Sequence, residues 1–228
     1  MPLHPALDAT GQGVFKFLRC AVAPKNCSSA VRPAPLPASD TALVLVDFIN
    51  PLDFGGADQL LAPALEAARA TARLKRRLAA RGVPAIYAND NYGVWHSNFD
   101  AVLKRCRALP GDRGALAELL TPTQDDLTVL KPRHSAFYAT PLDMLLRDIG
   151  VQKIVLVGLA ADICVHFTAV DAFMRGYALW VPRDCVAAET PQAHQAALAH
   201  MARTLKCSTA CSSGRNPLRA QPVKQAQQ

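Results

Sequence analysis

The chain has 228 residues, half of them hydrophobic and 19% charged, which suits one ordinary domain with tails and leaves no apolar run long enough to span a membrane. Its net charge of +7 is spread along the chain, and no aromatic-interleaved reading motif accompanies it, so nucleic acid is not an expected partner. Seven cysteines form no C-x-x-C pair, which points to reduced thiols in a cytoplasmic protein rather than a disulfide framework or structural zinc.

Residues 1–39 read as a flexible N-terminal extension. Val14–Ala23 is short and interrupted by Lys16 and Arg19, unlike a secretory leader. A short amphipathic piece is possible over Val14–Val22. Pro33, Pro35 and Pro37 alternate with small residues, the pattern of an extended linker. The folded domain is expected over 40–205. It opens with A-L-V-L-V-D-F from Ala42 to Phe48, an unbroken apolar run of the kind buried on both faces of a parallel sheet. The run ends at Asp47. Ligands bind beyond the carboxyl ends of strands in open α/β sheets, so an acid there is a candidate site residue, with a turn or capping acid as the plain alternative.

A helix is expected over Pro63–Ala80, with Leu65, Ala68, Ala72 and Leu78 at helical spacing. It carries the densest basic group, Arg69 to Arg81, read as a solvated face. V-P-A-I-Y-A follows as a second strand. Then comes N-D-N-Y-G-V-W-H-S-N-F, a polar loop with aromatics. Asp90, Tyr92, Trp95 and Phe99 are pocket candidates there, while His96 reads as a surface residue. Short helices are expected over Ala101–Ala108 and Gly114–Leu120, and a short strand over Leu127–Leu130. That strand ends in K-P-R-H-S. Lys131, if buried beside an acid, could hold that acid ionised. His134 is the natural general base by residue type, but a lone loop histidine ranks behind Asp47.

Pro141–Ile149 reads as a helix and Lys153–Val157 as a strand. The chain then runs V-G-L-A-A-D-I-C-V-H-F. A strand that breaks at glycine and restarts as a helix leaves free backbone N–H groups. Cys164 falls at that helix start, where the dipole favours thiolate; the plain alternative is a small buried hydrophobe. Tyr177–Val181 is the next strand. Cys185 reads as packing, and Thr190 as the cap of a last helix over Pro191–Leu205. Residues 206–228 read as a disordered tail. Alternating strands and helices predict a three-layer αβα fold with a mostly parallel sheet of five or six strands.

Asp47, Lys131 and Cys164 thus stand at three strand ends. With the segments L-V-L-V-D-F-I-N, K-P-R-H-S-A-F-Y-A-T-P-L-D and V-G-L-A-A-D-I-C-V, this order resembles the isochorismatase-like cysteine hydrolases, the superfamily that includes the nicotinamidases. The likeness extends from about Thr41 to Leu205. It implies Cys164 as nucleophile, Asp47 as the acid and base that takes and returns its proton, and Lys131 beside both. It also implies a cis peptide between Leu159 and Ala160, aiming the N–H groups of Ala160 and Cys164 at an oxyanion. Nicotinamidases hold a metal through an Asp-x-His motif after the second strand. Here that place reads Asp90-Asn91-Tyr92, so neither a metal nor another cofactor is expected. The resemblance implies hydrolysis of a C–N bond in a small amide or carbamoyl compound. Tyr92, Trp95, Phe99 and Phe137 would line a pocket for a planar small-molecule substrate, and the protein would be a homo-oligomer. The alternatives are a catalytically silent scaffold of the same fold and an isochorismatase-type hydrolase.

Overall fold

The computed structural model describes residues 35–220. Most of the N-terminal extension, including the amphipathic piece, and residues 221–228 lie outside the described part. The strands are β1 (Thr41–Val46), β2 (Ala85–Asp90), β3 (Leu127–Lys131), β4 (Lys153–Leu159), β5 (Ala178–Trp180) and β6 (Val186–Ala187). The helices are α1 (Ala57–Ala79), α2 (Phe99–Arg107), α3 (Gly111–Leu119), α4 (Leu142–Ile149), α5 (Cys164–Met174) and α6 (Pro191–Thr204).

The strands make one parallel sheet in the order β3-β2-β1-β4-β5, with β6 pairing the end of β4. Every residue of β1 is buried, as its unbroken apolar run requires. Side chains alternate across a strand, and the alternation sorts the core into two clusters. Leu43 and Leu45 pack with residues of α1, α2 and α3. Ala42, Val44 and Val46 pack with residues of α4, α5 and α6. The three-layer αβα arrangement is therefore present, with six strands. The chain crosses from β1 to β2 on one side and returns to β4 on the other. The carboxyl ends of β1 and β4 thus flank the point where strand order reverses, which is where open α/β sheets place ligands.

Two expectations need correction. The first helix begins at Ala57, so Pro63 lies inside it. Burial of Ala57 and Leu60 extends the apolar face past the proline, although proline usually marks a boundary. The stretch after Lys206, expected to be disordered, is ordered through Leu218. Ser208 bridges Trp180, donating its N–H to Leu179 O at 3.2 Å and accepting Val181 N–H at 2.8 Å. Trp180 Nε1 donates to Ala210 O at 2.8 Å. Both the N–H and the hydroxyl of Ser212 bond the Asp184 carboxylate, at 2.7 and 2.6 Å. Backbone pairing along the β5 edge orders this polar segment, so apolar patterning gives no sign of it.

Candidate active site

Asp47 and Lys131 sit where strands give way to loops, and Cys164 where a helix begins. Asp47 follows β1 with φ at 51°, a left-handed conformation that aspartate tolerates better than most residues. Its Oδ1 accepts the Asp90 N–H at 2.8 Å, which ties it to the end of β2. Lys131 ends β3, and its Nζ lies 2.8 Å from Asp47 Oδ2, with both side chains at most 5% exposed. An ammonium has three protons to place. Nζ also donates to Arg133 O at 3.2 Å and approaches Cys164 Sγ at 3.7 Å. These acceptors give each of the ammonium's donors a partner, which a buried charge requires.

Cys164 is the first residue of α5. The bend that delivers it depends on Gly158, whose φ is 138° and whose missing Cβ would lie 2.1 Å from Val46 O. Only glycine lets β4 leave the sheet that close to β1. The Leu159–Ala160 peptide is cis. The Ala161 N–H is held by Ala187 O at 2.7 Å, while the Ala160 carbonyl accepts from Val165 at 3.1 Å. Among the described residues, the N–H groups of Ala160 and Cys164 donate to no acceptor.

The charges of the cluster are coupled. Burial raises the Asp47 carboxyl above the ordinary carboxylate value, against the pull of the Lys131 ammonium. Burial opposes the charge on Lys131, yet the negative charges of Asp47 and Cys164 leave its pKa raised. Burial, and then the Asp47 charge, push the Cys164 thiol up to about 12. Desolvation and the adjacent carboxylate act against the thiolate that a helix start favours. The cluster thus sets an Asp47–Lys131 pair beside a thiol whose acidity is lowered.

The aromatic candidates separate. Tyr92 is half-buried, donates its hydroxyl to Ile49 O at 3.2 Å, and feels the Asp47 charge. Trp95 is 76% exposed on the loop after β2. Phe99 and Phe137 are core residues, which corrects the four-aromatic pocket. Phe99 packs edge-on against Tyr87 in the first cluster. Phe137 lies in the second, on the opposite side of the sheet. Both face inward from loop-flanking positions, and an aromatic in a loop shows no period that would reveal this. Cys185 is fully buried packing, as expected.

The Asp90-Asn91-Tyr92 segment does not suit a metal. Asp90 Oδ1 accepts the Tyr92 N–H at 2.6 Å, and Oδ2 faces the Lys131 ammonium at 3.7 Å. The Tyr92 hydroxyl is spent on Ile49. Among the described residues no group of three His, Cys, Asp or Glu could hold a metal ion.

Three neighbours were missed or ranked low. His134 Nδ1 lies 3.6 Å from Cys164 Sγ. Its ring stacks on Phe167, with centroids 5.6 Å apart and planes at 21°. Thr168 Oγ1 accepts the Ala136 N–H at 3.0 Å and donates to Cys164 O at 2.7 Å, fastening the loop after β3 to α5. Spacing gives a hint of the last two, since Phe167 and Thr168 stand three and four residues after Cys164 on one helix face.

A buried ion pair and a cysteine are thus gathered at the switch point of a parallel sheet. Residues 41–212 match the Isochorismatase domain, and the chain belongs to the isochorismatase family of hydrolases. It is 34% identical over 168 residues to the uncharacterized isochorismatase family protein YaaI of Bacillus subtilis, covering 73% of this chain and 91% of that protein. It is 30% identical over 177 residues to the ureidoacrylate amidohydrolase RutB of Methylorubrum extorquens, covering 64% of this chain and 70% of that one. Among solved structures, N-carbamoylsarcosine amidase from Thermoplasma acidophilum superposes with a TM-score of 0.61 at 28% identity, over 78% of this chain and 99% of that one. The nicotinamidase SaPncA from Staphylococcus aureus gives 0.59 at 25%, over 75% and 98%. Among the described residues no helix is long and apolar enough to cross a membrane.

Proposed function

We propose that this hydrolase cleaves the C–N bond of a small amide or carbamoyl compound through a thioester on Cys164. The observation that carries the reading is the convergence of Cys164, Asp47 and Lys131 from three strand ends, with Nζ 2.8 Å from the carboxylate and 3.7 Å from the sulfur. The thiol is a poor nucleophile while protonated. Asp47, its proton affinity raised by burial, takes the proton as Sγ attacks the carbonyl. Lys131 keeps its charge and steadies both the carboxylate and the developing thiolate. The free N–H groups of Ala160 and Cys164 receive the oxyanion, each such donor being worth on the order of 3 kcal/mol in comparable sites. Collapse expels the amine, which leaves with the proton from Asp47. Water then hydrolyses the thioester.

Relatives named for ureidoacrylate and N-carbamoylsarcosine direct the search to ureido and carbamoyl compounds. Tyr92 and Trp95, on the loop beside Asp90, are the proposed substrate-facing aromatics. The test is a screen of small amides, ureido acids and N-carbamoyl amines for ammonia or amine release, with Cys164→Ala as the blank. Turnover by wild type and none by the variant is expected; equal turnover by both would sink the mechanism.

A further inference from the structure

Two proton acceptors flank the sulfur. Asp47 lies on the inner side, 4% exposed, with Oδ1 bonded to the Asp90 N–H and Oδ2 to Lys131. His134 lies on the outer side, exposed to solvent, with Nδ1 3.6 Å from Sγ. The histidine is held in place from three directions. The bond from Lys131 Nζ to Arg133 O fixes the backbone before it. The bond from the Ala136 N–H to Thr168 fixes the backbone after it. The face of Phe167 supports the ring. A loop histidine kept for solubility alone needs none of these.

Resting on the thioester reading above, we propose that His134 is a second catalytic base, dedicated to hydrolysis of the acyl-enzyme. Once the amine has left with the proton from Asp47, water must reach the thioester carbon, and it arrives from the solvent side. There His134 turns Nδ1 towards the sulfur, and Nδ1 is an acceptor in the tautomer that carries its hydrogen on Nε2. Nδ1 takes a proton from the water as its oxygen bonds the acyl carbon. The C–S bond then breaks, and Nδ1 returns the proton to the departing sulfur. The products are the free acid and the starting thiol, so atoms and charge balance. Asp47 serves the formation of the thioester and His134 its removal.

The test uses the full chain and p-nitrophenyl acetate, whose acetyl group is small enough to load any reactive thiol. Acetylated protein is freed of reagent, the acetyl is located on Cys164 by peptide mass, and its loss is followed in time. His134→Ala should acquire acetyl within about threefold of the wild-type rate and shed it on the order of 100-fold more slowly, the low end of general-base contributions. Adding free imidazole should restore shedding, because the emptied position opens to solvent. His134→Gln should behave like His134→Ala without rescue, since its side chain occupies the place. Shedding by His134→Ala at the wild-type rate, or a slow rate that imidazole leaves unchanged, overturns the proposal. A separate failure is recognisable: if Cys164→Ala loads acetyl as wild type does, the thioester reading itself is wrong.

Discussion

Lys131→Met tests the electrostatic core of the site. The substitution keeps chain length and apolar bulk but removes the ammonium 2.8 Å from Asp47. Asp47 is then a buried carboxylate whose remaining bond is the Asp90 N–H. Removing one partner of a buried pair costs about 3–5 kcal/mol, a large part of the ~5–15 kcal/mol that holds a typical domain together. With a urea slope of about 2 kcal/mol/M, the unfolding midpoint should fall by roughly 2 M at neutral pH. The pH dependence has a definite sign. The raised pKa of folded Lys131 means that its stabilisation is fully present below the unfolded lysine value and fades as pH rises through the folded one. The raised pKa of folded Asp47 means that the charged carboxylate disfavours the folded state, and more so without Lys131. The gap between wild type and variant should therefore be widest near neutrality and narrow towards both acid and strong alkali. Asp47→Asn combined with Lys131→Met removes both charges and should recover about 2 kcal/mol or more relative to the sum of the single changes. A gap below about 1 kcal/mol at neutral pH, or simple additivity in the double variant, would refute the buried-pair account.

Asp47→Asn should separate thiol acidity from catalysis. The Asp47 charge is one of the causes that raise the Cys164 thiol, so its removal should move iodoacetamide labelling of Cys164 to lower pH while turnover falls on the order of 10²–10⁴-fold; unchanged or later labelling contradicts the assignment. Gly158→Ala should destabilise the fold by on the order of 3 kcal/mol or more, because the new methyl meets Val46 O at a backbone conformation alanine resists; a thermal melt at the wild-type temperature contradicts this. Trp95→Ala should leave stability within about 0.5 kcal/mol of wild type and raise KM for the substrate found, whereas Phe99→Ala should lose about 3–5 kcal/mol, as urea titrations of the two will show.

How much of this was legible in the sequence depends on the kind of signal each feature leaves. The apolar run into Asp47 and the glycine-bent elbow before Cys164 carry strong local patterns, and both lie where their patterns indicate. The fold follows from those strands alternating with helices. Lys131 leaves only a weak local signal, because a lysine after a strand usually meets water; its burial depends on an acid two strands away, at the end of β1. Long-range acceptors of that kind leave no trace in spacing. The same holds for the segment after Lys206, ordered by the open edge of β5 and by Asp184. Phe99 and Phe137 show the opposite failure. Aromatics in polar surroundings suggest a pocket, yet each turns into a different face of the core. The thiol shows a third kind of gap: the helix start is visible from sequence, whereas the desolvation and the carboxylate that act against the thiolate are properties of the assembled site.

The central claim is that Cys164 forms a covalent acyl intermediate. The most direct measurement is intact-mass analysis of the full chain quenched during turnover of the best substrate from the amide and carbamoyl screen, with the adduct mapped by peptide mass. The account predicts an acyl adduct on Cys164, enriched in His134→Ala and absent from Cys164→Ala. Turnover that proceeds undiminished in Cys164→Ala, or an adduct mapped to another residue, would contradict it.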